Sequence, residues 1–193
     1  MIEQLKSDFN KMAENLKFSE SNVELRKKNL TNFIDKGFPN KRIEDWKFSD
    51  LNQIISSNIE NLSFYNDKTY EPEDQISLIN KFEHNKIIFI NGAISKVDIN
   101  YEDDTKVLIN NDLDLSNSAN EINPLVSLNH ALASAHIGII VKENYSLNKP
   151  LILYNITTED VNSTALNLRT DIKLEKNSSL KLVTIFDDQS ENN

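Results

Sequence analysis

Apolar residues near the start of the chain recur every three or four positions. Ile2, Leu5, Phe9, Met12 and Leu16 therefore share one face and predict an amphipathic helix. Ser21 and Glu24 have capping-box spacing, which predicts a second helix beginning near Ser21 with Leu30, Phe33 and Ile34 as its apolar stripe. Gly37 stands where the residue after a helix takes positive φ, and Pro39 prevents the helix from resuming. Helices of this kind need a surface to cover, so the pair predicts a helical cap on a β-domain. A free partner-binding helix is the alternative. The stretch "SDLNQIISSNIENL" suggests a further short helix.

Residues 61–85 are polar and irregular, carry Pro72, and predict a linker or variable loop. At Lys86 the character changes to strand. "KIIFINGAISKVDI" holds two β-rich runs around Asn91-Gly92, the dipeptide that best tolerates the two positive φ angles of a type I′ turn. "KVLINNDLDL" adds a strand. Asn123 as cap and Pro124 at the first helical position then begin a helix with Leu125, Leu128 and Leu132 on one face.

From Ile137 onward only strands and turns are predicted. "VKENYSL" and "LEKNSSL" resemble each other, with Asn144 and Asn177 in corresponding places, and each copy lies between alternating strands. Short strands separated by polar corners are how a solenoid coil is built. The expected fold class is therefore α+β: an N-terminal helical cap followed by the first rungs of a right-handed parallel β-helix. The expected division is a helical domain at 1–60, a linker at 61–85, and a truncated hairpin, helix and β-helix start at 86–193. About two rungs fall short of the roughly three that such arrays need. The chain is thus expected to be a piece of something longer or to have its end covered, with dimerisation through the open β-helix end as one means.

Composition narrows the function. At 193 residues, 38 % hydrophobic and 26 % charged, the chain can bury a core. Its net charge of −9 repels phosphate backbones and anionic lipid, so neither nucleic acid nor a membrane is an expected partner. With no cysteine, there is no disulfide, thiol catalysis or cysteine-held cluster. The polar N-terminus is no signal peptide and the longest apolar runs are too short to span a bilayer, which predicts a cytoplasmic protein. Arginine occurs only at 26, 42 and 169, a bias that suits an A/T-rich coding genome, so a lysine in place of arginine carries little weight.

Candidate chemistry is sparse. The chain has no phosphate-cradling glycine loop, nucleophile elbow or zincin motif. His130 and His136 are six residues apart, which on a helix turns them to different faces, and His84 lies in the polar stretch. All three are expected at the surface or in a second layer. Asp103-Asp104 and Asp187-Asp188 are adjacent pairs in loop-like sequence, poor as a paired acid and base. The stretch "GFPNKRIEDWKFSDL" raises the same question for Glu44 and Asp45, and nothing near them in sequence supplies an enclosed apolar site. The structural alternative has Trp46 and Phe48 plugging the gap between cap and β-domain, while Asp45 and Lys47 face solvent or pair locally. A fully buried Trp46 would cost about 3–5 kcal/mol when cut to alanine. No catalytic residue, metal ligand or cofactor is expected.

These landmarks together resemble the SufB/SufD family of iron–sulfur cluster assembly proteins. Gly37, Pro39 and the "EDWKF" run Glu44, Asp45, Trp46, Lys47 and Phe48 look like the family signature. Asn91 and Gly92 look like its "V-F-V-N-G" hairpin, Leu128 and Asn129 like its "P-L-x-x-L-N" segment, and Pro150 like the proline after a strand corner. The helical N-terminus is closer to the SufD branch, and only the front half of such a protein is covered. The resemblance implies a non-enzymatic scaffold subunit whose full-length form pairs with SufB through their β-helices and binds the ATPase SufC. The complex handles iron–sulfur clusters while SufC hydrolyses ATP. It implies no cluster ligand in this part. A stand-alone interaction module is the first alternative, and a polysaccharide-acting β-helix protein the second.

Overall fold

The structure, a computed structural model, describes residues 1–59, 61–67, 79–110, 123–158, 161 and 163–189. The chain divides into two compact units, each discontinuous in sequence. The first draws on residues 1–67, 123–134 and 163–167, the second on 79–110, 135–161 and 168–189.

The first unit is helical. Helix α1, Ile2–Leu16, buries Leu5, Phe9 and Met12, the middle of its predicted stripe, while Ile2 and Leu16 at its ends stay exposed. Helix α2, Glu20–Lys36, starts slightly earlier than its capping-box spacing suggests. Its cap is Ser19, whose Oγ accepts from the Asn22 N–H, and Ser21 is already helical. Gly37 ends it at φ 70°, donating its N–H to the Phe33 carbonyl. A single 3₁₀ turn follows at Glu44–Trp46, and then α3, Leu51–Asn58, capped by the Asp50 carboxylate. Helix α4, Pro124–Leu132, begins as its sequence predicts, with Asn123 Oδ1 accepting from Leu125 N–H and Pro124 in the first turn. Leu5, Phe9, Met12, Leu30, Phe33, Phe38, Phe64, Leu128 and Leu132 form one core.

Among the described residues, the second unit contains seven strands in two sheets. Strands β1 (Asn85–Ile90), β2 (Ala93–Asp98), β5 (Leu151–Thr157) and β7 (Leu182–Asp188) form one sheet, in the order β2-β1-β5-β7. Strands β3 (Val107–Asn110), β4 (Ala135–Val141) and β6 (Leu168–Leu174) form the other, in the order β3-β4-β6. The β1–β2 hairpin turns at Asn91 and Gly92, with φ of 50° and 81°, as the dipeptide requires. Ile87, Phe89, Leu151 and Leu153 of one sheet share a core with Val107, Ile137 and Ile139 of the other.

This architecture corrects one expectation. The fold is α+β, but the strands do not make a right-handed parallel β-helix. They form two mixed sheets of four and three strands that do not close. The cause lies in local pairing: the tight turn folds β2 back antiparallel on β1, and β3 runs antiparallel to β4. Among the described residues, parallel pairing joins β1 to β5, β5 to β7 and β4 to β6, and recurs at the isolated bridges Ser63–Thr164 and Ser146–Ser179. The similarity between residues 141–147 and 174–180 appears as a side-by-side register. Ile139 pairs with Ile172, both corner asparagines take positive φ, and Asn177 Nδ2 donates to Asn144 Oδ1 at 3.0 Å. Residues 68–78 of the expected linker, and the end of "KVLINNDLDL", lie outside the described residues.

Candidate functional site

Within the first unit, the signature stretch does not form an enclosed centre. Pro39 is buried and its carbonyl accepts from Leu51 N–H, joining the α2 exit to α3. Glu44 and Asp45 are exposed, Trp46 is half-buried, and Phe48 is 89 % exposed. Neither ring is fully buried. The 3₁₀ turn at Glu44–Trp46 carries the chain outward, and Phe48 has the Lys47 ammonium 5.3 Å from its ring centre instead of a pocket. Lys47 pairs locally with Glu44 at 2.8 Å, which is surface chemistry of little energetic weight. Leu128 lies in the helical core and Asn129 accepts the Ala133 N–H at the end of α4.

In the second unit, Asn91 does more than turn the hairpin. Its Nδ2 donates to Thr158 Oγ1 at 2.7 Å and its Oδ1 accepts the Thr158 N–H, tying the turn to the end of β5. The Pro150 carbonyl accepts the Asn85 N–H where β1 and β5 begin.

Three polar clusters whose partners the sequence did not bring together have the most developed geometry. Glu102, between β2 and β3, accepts four hydrogen bonds. Oε1 receives Asn85 Nδ2 at 2.7 Å and Lys149 N–H at 3.1 Å, and Oε2 receives the Tyr145 hydroxyl at 2.8 Å and Asn148 N–H at 2.9 Å. Burial alone would raise its pKa, but the donors from Asn148, Asn85, Lys149 and Tyr145 prevail and hold it below the usual carboxylate range. A carboxylate so fully engaged has no lone pair to spare for a substrate proton, so it clamps the β2–β3 loop to the β4–β5 corner. The phenol of Tyr145 shifts the other way, raised by burial and by its anionic neighbours.

The second cluster joins β4 to β6. His136 Nε2 lies 2.9 Å from Asp171, which also accepts Arg169 Nε at 2.9 and 3.1 Å. Burial works to raise the Asp171 pKa, and Arg169 followed by His136 brings it down overall. Gly138 makes room here, since a Cβ would meet the Asn110 carbonyl at 3.2 Å and the His136 ring at 3.6 Å. In the third cluster, His84 Nδ1 lies 3.0 Å from the Phe82 carbonyl, and Nε2 lies 2.9 Å from the Tyr154 hydroxyl, which accepts Ile79 N–H. The Phe82 carbonyl can only accept, so Nδ1 is the donor of that pair. All three histidines, expected at the surface or in a second layer, are buried. For His84 and His136 the partners, Tyr154 and Asp171, are distant in sequence.

Among the described residues no group of three or more His, Asp or Glu side chains could hold a metal ion, and no helix is long and apolar enough to cross a membrane. Several exposed apolar side chains of the second unit lie on its outer strands: Leu174 on β6, and Leu182, Val183 and Phe186 on β7. No family model matches the chain, and no curated protein matches it significantly.

Proposed function

We propose that this chain is a non-catalytic scaffold portion of an iron–sulfur cluster assembly complex of the SufB–SufC–SufD kind. The observation that carries the reading is the order of its landmarks. The helix-ending Gly37 and Pro39, the "EDWKF" run, the Asn91-Gly92 hairpin, Leu128-Asn129 and Pro150 follow one another as they do in the SufB/SufD family. The geometry is compatible with a scaffold, because the polar clusters are spent on fastening loops and strands. On this reading SufB and SufC are the partners of the full-length product, and neither nucleic acid nor a membrane surface suits a chain of net charge −9.

The test is to tag the native gene at Met1, purify its product from cells, and record intact mass and stoichiometric partners. Recovery of SufB and SufC with the product is the expected result. A product that carries other partners, or none, overturns it. The exposed apolar strand β7 favours one second reading, a stand-alone interaction module. The same experiment would then return a product ending near Asn193 with partners unrelated to cluster assembly.

A further inference from the structure

The two sheets of the second unit leave a groove open along one side. It encloses about 450 Å³ and is lined by Val97 and Ile99 at the end of β2 and by Val107, Leu108 and Ile109 of β3. Successive residues of a strand point to opposite faces, so three in a row lining one groove means that β3 is met along its edge. Among the described residues both strands are edges, β2 in the order β2-β1-β5-β7 and β3 in the order β3-β4-β6. Val97 sits opposite Ile87 and Ile109 opposite Ile139, and both of those partners belong to the shared core. The groove is therefore where that core comes to the surface, and Val97 is 38 % exposed there.

The strand pairing decides which backbone groups face the groove. Asn85 N–H donates to the Pro150 carbonyl and Asn91 N–H to the Ile156 carbonyl, so β1 bonds β5 through its odd-numbered residues. Lys86 and Ile88 then bond Asp98 and Lys96, and the N–H and carbonyl of Val97 face outward. Among the described residues no strand pairs with that edge. Just beyond, the Ile99 carbonyl is taken by Glu102 N–H, which closes the edge at one end. The same end is acidic, because Asp103 and Asp104 line the groove beside Glu102.

We propose that β2 accepts an extended peptide of a partner protein as an added antiparallel strand, with alternate apolar side chains in the groove and basic residues at its N-terminal end. Antiparallel addition puts the start of the peptide at the end of β2, where the acidic residues stand. Main-chain bonds to Val97 supply affinity, Val107 and Ile109 form the wall for its apolar residues, and Asp103 and Asp104 set its direction. The inference does not rest on the cluster-assembly reading.

Fluorescence anisotropy of labelled synthetic peptides on the 193-residue chain tests it. The probe is Lys-Lys-Val-Thr-Val-Thr-Val, and it should bind more tightly than about 1 mM. The reversed order, Val-Thr-Val-Thr-Val-Lys-Lys, and the Glu-Glu counterpart should each bind at least about tenfold more weakly. N-methylation of the central valine removes a ladder donor without touching the protein, and should abolish binding. Asp104→Lys should narrow the gap between the Lys-Lys and Glu-Glu probes by at least about threefold. Asp103 is left in place because it holds the turn through the Thr105 N–H and hydroxyl. Val97→Pro removes an outward N–H and keeps the bonds to β1, so it should abolish binding with the circular dichroism spectrum retained. A wild type that binds no probe, binds all three orders and charges alike, or binds the N-methylated probe equally overturns the proposal. Self-association that Val97→Pro disperses, with no probe bound, would assign the edge to a second copy and overturn it too. Either failure leaves the co-purification of SufB and SufC unaffected, so the two readings fail separately.

Discussion

In each unit an ionised side chain fastens segments far apart along the sequence, and the two compared, Arg26 and Glu102, carry opposite sign. In the helical unit Arg26, 2 % exposed, donates from Nη1 to the carbonyls of Ala131 and Ala133, at 3.1 and 3.0 Å. Those carbonyls belong to the end of α4, where backbone acceptors lack helical partners and the helix dipole favours a cation. Asn22 accepts from Arg26 Nε, and the Phe18 ring lies 4.0 Å from the guanidinium carbon. In the strand unit the fastener is an anion, Glu102, and the groups it collects are mostly donors from a corner. The cation is dry and its pKa falls to about 10 through burial, so it remains charged at neutral pH. The anion is part-exposed and its charged form is favoured by its donors. The same job thus leaves a burial cost in one unit and a pH dependence in the other.

The largest effect expected from breaking either fastener is at Arg26. Arg26→Ala leaves two buried carbonyls without their donor and a cavity against Phe18, and should destabilise the chain by about 3–5 kcal/mol in chemical denaturation. Arg26→Lys keeps the charge without the planar fork and should cost about 2 kcal/mol. A loss below about 1 kcal/mol for the alanine variant would mean that water satisfies the α4 end equally well.

Glu102→Gln should cost less, about 1–2 kcal/mol at pH 7, because the site is part-exposed. However the amide turns, its NH₂ faces donors that the carboxylate accepted. The sign with pH follows from the depressed folded-state value. Glu102 contributes stability above the unfolded carboxyl pKa, and that contribution is lost as pH falls through the folded one. The gap between wild type and variant, read from urea midpoints, should therefore close on acidification below about pH 4. A gap that stays constant with pH would show that shape, and not charge, holds the corner.

Neither fastener was legible in the sequence, while much of the scaffold around them was. Periodicity and cap chemistry located α1, α2, α4 and the Asn91-Gly92 hairpin because those signals are local. Contacts such as Arg26 to Ala133, or Glu102 to Lys149, depend on chain pairing across long separations, which spacing does not encode. One signal was available. In a chain that uses lysine almost everywhere, two of the three arginines, Arg26 and Arg169, make the contacts that need a guanidinium. The 33-residue similarity likewise announced that two segments would lie side by side. Whether their strands coil or form open mixed sheets depended on β2 and β3 pairing antiparallel, which the repeat itself does not contain.

The smallest expected effect separates fastening from decoration. The Glu44–Lys47 pair spans one turn and ties the loop only to itself, in contrast to the long-range contacts of Arg26 and Glu102. Trp46 is only half-buried, so Trp46→Ala should cost about 1 kcal/mol, well short of the 3–5 that full burial would imply. Phe48→Ala should change stability by less than about 0.5 kcal/mol, as expected for a ring standing in solvent. Thermal melts of both variants check this, and a loss near 4 kcal/mol at Trp46 would mean that the loop is held by a surface as dry as the one around Arg26. A small loss at both positions leaves the aromatic pair free for contact with another molecule, while the backbone link from Pro39 to Leu51 still holds α2 to α3.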